Sequence, residues 1–499
     1  MSSNEPFLGD LSDPINLILI GVGPHAKRFY IPSILDMQNR YNVRFRAVVE
    51  LEETSQETCA FLESKDLEIE KIFVPSFVEQ MPKEIMELLN RAVKQKNLHG
   101  AIIATDPLTH KIYVEWALQN GLHILLDKPI TSRANVVSEK AQALGIEEDY
   151  KDILRIYENR PQKTCLIVCA HRRYHPGISY VIERIKEACK KTGCPVTNIH
   201  SYHSDGQWRL PSEIVTQYHH SYYMGFGKAS HSGYHFFDSV CRFMKAGTVS
   251  GKCPDGMRVY SSFIRPDGLL EQLTAEDYIN IFGQEYREVQ RYSDEQLRSL
   301  YKNYGEVDLE AVVTFLKQNI PVCNASLSLL HNGFSRRAWM RPPADLYKGN
   351  GRVKHEQHRV HIGPFMGIQV HSYQAKDEHL KSGLDDKEIG GNNHFDIVFF
   401  NNTKILGGQK PIETMNLTDL PQTSELDESR LFIEQVKEGA IVEFLSYIRG
   451  KLGIENLSSS IEDHELPVKL MSAVYLSHNL TSSGENPIVR KEIQCKGKY

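Results

Sequence analysis

An apolar hexapeptide that runs directly into a glycine-rich turn constrains this chain more than any other feature. Residues 15–20 have the composition of a buried strand, and G-V-G-P-H-A follows at residues 21–26. Gly21 permits a tight turn, Gly23 lets the backbone approach a ligand, and Ala26 lets a helix lie close to a sheet. The helix N-terminus offers N–H groups and a positive dipole end to an anion. The pattern predicts a Rossmann domain that binds a dinucleotide pyrophosphate.

An acidic residue ends the second predicted strand. The run R-F-R-A-V-V-E at residues 44–50 reaches Glu50 somewhat beyond the spacing of about twenty residues that is typical of dinucleotide sites. A carboxylate at this point accepts hydrogen bonds from the adenosine ribose and repels a 2′-phosphate. Glu52 and Glu53 add negative charge. Alternatively, Glu50 is an ordinary solvated residue at the end of a strand. Because it follows a glycine loop, we favour the ribose-binding role, which predicts that the chain binds NAD in preference to NADP.

Strand and helix patterns alternate through the first third of the chain, which predicts a parallel sheet with helices on both faces. The predicted strands after Glu50 are residues 71–74, 100–105 and 122–126, and the predicted helices are residues 55–65, 83–96 and 110–120. Ligands of such sheets bind beyond the carboxyl ends of the strands. Gly21, Glu50, Thr105 and Lys128 all lie at those ends, so one crevice is expected to hold all four.

Composition narrows the class of protein. A length of 499 residues allows two or three domains, and 41% hydrophobic with 24% charged residues is ordinary for a globular protein. A net charge of −5 argues against a nucleic-acid partner. The nine cysteines lack metal-type spacing, and we find neither a signal-peptide pattern nor a membrane-length apolar run. We therefore expect a cytoplasmic enzyme without metal or membrane.

Four further segments carry a family resemblance. They are A-T-D-P-L-T-H at residues 104–110, G-L-H-I-L-L-D-K-P at 121–129, H-R-R-Y-H-P at 171–176 and H-S-G-Y-H-F-F-D at 231–238. Together they resemble the Gfo/Idh/MocA oxidoreductases, named after glucose–fructose oxidoreductase, inositol dehydrogenase and a rhizopine-catabolism protein. Asp127 stands where that family usually has glutamate. The resemblance covers most of the chain and is poor near residues 250–305 and 335–395.

The resemblance implies an α/β fold: an N-terminal Rossmann dinucleotide-binding domain and a C-terminal α+β domain with an open, mostly antiparallel sheet. We place these domains at residues 13–150 and 151–499. The resemblance also implies that the C-terminal sheet serves substrate binding and homo-oligomer formation. Independent β-rich runs and two late helical stretches agree with it; they are residues 310–316, 324–330, 367–373 and 395–400, and residues 431–451 and 466–480.

The chemistry is expected at Lys128 and the segment 231–238. His231, His235 and Asp238 are spaced i, i+4, i+7, which predicts one helical face. Histidine suits proton removal from an alcohol, and a lysine ammonium stabilises a developing alkoxide. The resemblance implies that His235 is the acid/base and that Lys128 polarises the substrate oxygen. His231 replaces the family's aspartate and cannot raise the basicity of His235 as a carboxylate does, so its catalytic role stays open.

The remaining predicted site residues follow from the same motifs. Those predicted to bind the cofactor are Gly21, Gly23, Pro24, His25, Ala26, Glu50, Thr105, Pro107, His110, Asp127 and Lys128; those predicted to bind substrate are Arg173, Tyr174, His231 and His235. Arg173 has two open interpretations, an acidic substrate or the protein's own carboxylates as partner. His355, His358 and His361 recur every third residue, and a solvated loop is favoured there over a metal site.

The sequence thus predicts an NAD-dependent oxidoreductase that acts on a hydroxyl or keto group of a sugar, cyclitol or related polyol. One alternative is a glycosidase that uses tightly held NAD for transient oxidation. Another, from a different class, is a non-catalytic NAD-binding regulator, which the exchange at His231 makes less remote.

Overall fold

The structure is a computed structural model that describes residues 12–340, 351–375, 393–420 and 432–494. These residues form two compact units. The first takes the described residues within 1–133, 146–175 and 426–468, and the second those within 134–145, 176–425 and 469–499. This partition differs from the single boundary predicted at residue 150, because the chain returns to the first unit near its C-terminal end.

Six parallel strands form the sheet of the first unit: β1 (Ile15–Ile20), β2 (Val43–Leu51), β3 (Glu70–Val74), β4 (Gly100–Ile103), β5 (His123–Leu126) and β6 (Leu166–Val168). Their order is β3-β2-β1-β4-β5-β6, which is that of a dinucleotide-binding Rossmann fold with its switch point between β1 and β4. Every residue of β1 is buried, as expected of a central strand covered on both faces. The predicted Rossmann sheet is confirmed.

The helices are, in chain order, α1 (Ile31–Asp36), α2 (Gln38–Tyr41), α3 (Ser55–Glu63), α4 (Lys83–Gln95), α5 (His110–Gln119), α6 (Lys140–Glu158), α7 (Pro176–Thr192), α8 (Pro211–Thr216), α9 (Tyr234–Ala246), α10 (Pro266–Gln272), α11 (Ala275–Phe282), α12 (Gln284–Val289), α13 (Asp294–Tyr301), α14 (Thr403–Leu406), α15 (Phe432–Ile448) and α16 (Glu465–Ser482). Short helices α10 to α13 occupy the region near 250–305 where the family resemblance is poor. No helix within the described ranges is both long enough and apolar enough to cross a membrane.

Helix α15 completes the core of the first unit. Its residues Ile441 and Phe444 share one buried apolar cluster with Leu17 of β1 and Ile102 of β4. A Cβ atom added to Gly100 would lie 2.9 Å from the Phe444 ring. The contact is therefore tight, and a late segment of the chain covers the sheet that the first residues form.

Nine strands form the sheet of the second unit: β7 (Asn198–Ser204), β8 (Gly256–Ile264), β9 (Asp308–Lys317), β10 (Ile320–Leu330), β11 (Val353–Ile362), β12 (Met366–Ala375), β13 (Asn393–Asn401), β14 (Ile412–Met415) and β15 (Val489–Glu492). Their order is β14-β13-β12-β11-β7-β10-β9-β8-β15. Among these neighbours β7 and β10 pair in parallel and the others pair antiparallel. The prediction of a mostly antiparallel sheet is confirmed.

Strand β11 corrects one prediction. His355, His358 and His361 lie on this strand rather than in a solvated loop. His358 is buried, and its ring packs against Phe236 and Phe243 of α9 at centroid distances of 5.9 and 5.2 Å. Side chains alternate between the faces of a strand, so His355 and His361 lie on the opposite face. The three histidines therefore do not converge on one ion.

Candidate functional site

The glycine turn after β1 has the geometry that its sequence predicts. Gly21 has φ of +92°, and a Cβ atom there would lie 2.6 Å from the carbonyl oxygen of Ala104. Only glycine fits such a position. A Cβ atom at Gly23 would meet no atom within 4 Å, and the Gly23 N–H has no hydrogen-bond partner among the described residues. Packing does not require glycine at 23, whereas a phosphate approaching the backbone does.

Glu50 ties the end of β2 to this turn. Its Oε2 accepts a hydrogen bond from the Val22 N–H at 2.5 Å, and its Oε1 accepts one from the Leu51 N–H at 2.8 Å. Each carboxylate oxygen has further acceptor capacity, so these bonds hold the carboxylate in place without exhausting it. The donor and acceptor groups at this edge fit a dinucleotide: a turn N–H with no partner among the described residues for phosphate, and a fixed carboxylate for ribose hydroxyls.

His110 joins the loops that follow β4 and β5. The ring is fully buried, with Nδ1 2.8 Å from the Pro129 carbonyl oxygen and Nε2 3.2 Å from the Thr105 carbonyl oxygen. Burial lowers the pKa of His110. A neutral imidazole has one N–H, so one ring nitrogen donates a hydrogen bond and the other only contacts its carbonyl oxygen; the ring thereby links the loops that carry Thr105 and Lys128. The Thr105 hydroxyl accepts a hydrogen bond from the Thr109 hydroxyl at 2.9 Å.

The segment after β5 presents Lys128. The Asp127 carboxylate accepts a hydrogen bond from the Lys128 backbone N–H at 2.8 Å, and its other oxygen lies 3.9 Å from Nε2 of His25. The Lys128–Pro129 peptide is cis. Lys128 is half-buried, and within the described ranges its ammonium forms no ion pair. The lysine predicted to be catalytic is therefore held at the carboxyl edge of the sheet with its charge uncompensated.

Arg173 and Tyr174 have partners inside the first unit. The Arg173 guanidinium donates to the carbonyl oxygens of Ser458 and Asp463 at 3.1 and 3.4 Å. The Tyr174 hydroxyl donates to the Glu443 carboxylate at 2.9 Å. These bonds fasten the C-terminal segment of the first unit and favour a structural role over the predicted substrate contact.

His231 and His235 belong to the second unit and are both buried. His231 lies in a π-helical turn, Ala229–Gly233, that leads into α9, where His235 and Asp238 lie. The predicted single α-helical face therefore holds only for His235 and Asp238. The His231 ring stacks between those of His220 and His331, at centroid distances of 4.7 and 5.6 Å. Single π turns are frequent at functional sites.

A buried ionic cluster beside this turn escaped sequence analysis. The fully buried Lys228 ammonium lies 2.7 Å from the Asp205 carboxylate, 2.8 Å from Nδ1 of His203 and 2.9 Å from the Ser232 hydroxyl. Arg352 donates to the other Asp205 oxygen. Burial lowers the pKa of Lys228 to about 8, although Asp205 opposes that shift. Burial alone would raise the pKa of Asp205, but Lys228 and Arg352 hold it well below its usual range.

The cluster reaches His231 through His331. Nε2 of His331 lies 3.4 Å from the Asp205 carboxylate, and its Nδ1 lies 2.7 Å from the Tyr222 hydroxyl. Burial, and then the charge of Lys228, lower the pKa of His331 well below the usual value. An aspartate thus orients an imidazole that stacks on His231. Residue 231 is not the aspartate that the resemblance leads one to expect. The Asp205 carboxylate is nevertheless connected to the His231 ring, because His331 contacts both.

Glu306 fixes the start of the π turn. Its Oε1 accepts hydrogen bonds from the Ala229 N–H at 2.7 Å and from the Tyr475 hydroxyl at 3.0 Å. The residue is fully buried, and burial raises the pKa of its carboxyl to about 7. The turn that carries His231 is therefore anchored from both its ends, by Glu306 at Ala229 and by the Lys228 cluster at Ser232.

Residues 15–156 match the sequence model of Gfo/Idh/MocA, described as an oxidoreductase family with an NAD-binding Rossmann fold. No curated protein matches the chain.

Solved structures of similar fold cover nearly the whole chain. An oxidoreductase from Agrobacterium radiobacter in complex with NAD+, L-tartaric acid and magnesium is 12% identical with a TM-score of 0.55, over 96% of this chain and 98% of that one. An aldose–aldose oxidoreductase from Caulobacter crescentus, complexed with glycerol, is 12% identical with a TM-score of 0.53, over 96% and 100%. Apo scyllo-inositol dehydrogenase from Lactobacillus casei is 11% identical with a TM-score of 0.51, over 96% and 98%. At such identities the likeness concerns the fold.

Proposed function

We propose that this chain, whose residues 15–156 match the Gfo/Idh/MocA family model, is an NAD-dependent oxidoreductase acting on a hydroxyl or keto group of a sugar, cyclitol or related polyol. The observation that carries the proposal lies at the switch point of the sheet: the Gly23 N–H, which has no partner among the described residues, and the fixed Glu50 carboxylate. A phosphate and a ribose are the groups that such donors and acceptors recognise.

The bound nicotinamide supplies or accepts a hydride. The residues of the chain bind the substrate oxygen and transfer its proton. The Lys128 ammonium, which no described carboxylate neutralises, hydrogen-bonds that oxygen and stabilises alkoxide character. His235 takes the hydroxyl proton during oxidation and returns it during reduction. The stack of His220, His231 and His331 holds the turn before His235, and the contact of His331 with Asp205 fixes the orientation of the His331 ring.

The substrate class is supported by chemistry and by the names of similar structures. One acts between aldoses and another oxidises scyllo-inositol by name. Both names describe polyhydroxylated compounds, whose hydroxyls are groups that an imidazole base or a lysine ammonium binds. The test is a panel of sugars and polyols, in oxidised and reduced forms, incubated with the full chain and with NAD or NADH. A dehydrogenase changes the nicotinamide absorbance in proportion to product. A regulator binds the cofactor without turnover, and a glycosidase cleaves its substrate with no net NADH, so either result would overturn the proposal.

NAD is expected to bind more tightly than NADP. The Glu50 carboxylate is held by two backbone N–H groups, so it cannot swing away from a 2′-phosphate without losing both bonds. Like charges so placed act against NADP as a repulsive element. Calorimetric titration of both cofactors measures the preference, and Glu52→Gln serves as a control that alters the nearby charge alone. NADP affinity equal to or above that for NAD would overturn the role of Glu50.

Replacement of His235 by alanine is expected to lower the turnover rate by about a hundredfold or more, the usual contribution of an acid/base group. The pH profile should also lose the limb that reports the imidazole. His231→Asp is the informative companion, because it restores the usual family pair. A carboxylate beside His235 stabilises imidazolium, so the apparent pKa of the base should rise in that variant. Full activity of His235→Ala with an unchanged pH profile would remove His235 from the mechanism.

A further inference from the structure

Three strands of the second unit bring metal-binding side chains to one face of the sheet. His371 on β12 stands directly opposite Asp396 on β13, and Tyr373, two residues along, stands opposite His394 and His355. Residues opposite each other in an antiparallel pair share a face and lie close together. His371 is therefore the centre of a group that His355, His394 and Asp396 surround.

This group lies on the face of the sheet that α9 does not cover. His358, on the other face of β11, packs against Phe236 and Phe243 of α9, whereas His355 alternates with it and faces the opposite way. His231 and His235 belong to the π turn and α9. The group is thus separate from the residues to which we assign proton transfer.

The distances suit a shared ion. His371, His394 and Asp396 each offer one ligand atom, and these atoms all lie within 4.8 Å of one another. Tetrahedral zinc holds its nitrogen and oxygen ligands at about 2.0–2.2 Å, which separates two ligands by roughly 3.3 Å. Small rotations of the side chains close that difference. Nδ1 of His394 and Oδ2 of Asp396 form an ion pair at 2.7 Å, closer than two ligands of one ion, so this pair has to open slightly when the ion enters.

The same two atoms lack other partners. His394 is buried, and neither its Nδ1 nor Oδ2 of Asp396 forms a properly directed hydrogen bond within the described ranges. Buried polar atoms without such bonds are uncommon and call for a cause. His355 contacts the ring of His371, since the Nε2 atoms of the two residues lie 2.8 Å apart. A nearby cation, Arg336, donates to the Tyr373 hydroxyl at 2.9 Å.

We propose that His371, His394 and Asp396 bind one divalent transition-metal ion of the Zn²⁺ class. Two imidazoles and a carboxylate select such an ion over Mg²⁺ or Ca²⁺, which prefer oxygen ligands. Three protein ligands leave a fourth position for water. His355 supports His371 as the partner of its ring, in the manner of groups that orient metal ligands. The ion joins β12 to β13, and its role is to stabilise the second unit.

The experiment uses the full chain, freed of metal with a chelator and titrated with Zn²⁺ by calorimetry. Asp396→Asn keeps the shape of the side chain, and we expect it to weaken one Zn²⁺ equivalent at least about tenfold, since even the loss of an orienting group costs about 10–100-fold. His371→Ala should abolish that equivalent. His361→Ala is the matched control, an exposed histidine on the same face of β11, and should leave it unchanged.

Thermal unfolding provides the second measurement. Zn²⁺ at about 100 times its Kd should raise the Tm of the wild-type chain and of His361→Ala by several degrees, and should not raise that of Asp396→Asn at the same concentration. Because each Tm is compared with that of the same variant without metal, a variant of lowered stability still gives a result. Equal Zn²⁺ stoichiometry and affinity in wild type, Asp396→Asn and His371→Ala would overturn the site. NAD titration of these variants measures the proposed function separately.

Discussion

Lys128→Ala should lower the turnover rate by roughly two to four orders of magnitude, at or above the loss expected for one charge stabiliser in a site that excludes water. The ammonium has no ion-pair partner among the described residues, so no described carboxylate of the first unit neutralises its charge. Steady-state rates on the substrate identified by the panel measure the effect. The affinity for NAD should change far less, because Lys128 is assigned to the substrate oxygen rather than to the pyrophosphate.

The matched control is Lys71→Ala, which removes a lysine of the same unit that pairs with Glu63 at 3.4 Å on the surface. That variant should keep its rate. If Lys128→Ala kept near-native turnover while binding NAD normally, the lysine would serve the loop and not the reaction.

Asp205→Asn should lower the free energy of unfolding by about 3–5 kcal/mol, the usual cost of breaking a buried ion pair from one side. The change leaves the Lys228 ammonium, which is fully buried, without the charge of its hydrogen-bond partner, and it also removes the negative charge that faces Arg352. Urea unfolding measures the loss. Adding Lys228→Met to the same chain should restore part of the stability, since the orphaned charge is then gone.

A surface pair provides the comparison. Glu63→Gln breaks the pair with Lys71, whose acidic member is 71% exposed, and should cost no more than about 1 kcal/mol. A similar small loss for Asp205→Asn would mean that water reaches the cluster and that Lys228 is not held as the burial indicates.

The first five strands of the first unit were predictable because their signals are local, whereas β6 and the place of α15 in this unit were not predicted. The apolar run of β1, the turn at Gly21 and the acid at Glu50 lie within one stretch of chain, and each has a residue type that its conformation requires. The carboxyl-end rule for parallel sheets then placed Thr105 and Lys128 at the same edge. The hydrogen bond from the Val22 N–H in the glycine turn to the Glu50 carboxylate could not be predicted from the sequence, because it depends on the rotamer of the Glu50 side chain.

The cluster around Lys228 was not predictable in this way. Asp205 follows β7 and His331 follows β10, and these strands meet only through a parallel pairing of segments more than a hundred residues apart. No pattern within either segment predicts that the two strands pair. A signal did exist at each end, since both residues directly follow a strand, but β7 itself was not recognised. Strand β11 was missed for a related reason, since polar residues on both faces erase the alternation that identifies strands.

The packing of α15 on the first sheet has a consequence for synthesis of the chain. A ribosome completes β1 to β5 early, yet Ile441 and Phe444, which cover that sheet, emerge only after most of the protein. At about 5–20 residues per second the delay is on the order of tens of seconds. Throughout that time an apolar face of the nascent sheet lacks the helix that finally covers it, and this face is a binding surface for chaperones. The synthesis of Ile441 and Phe444 therefore decides when the sheet of β1 to β5 finishes folding.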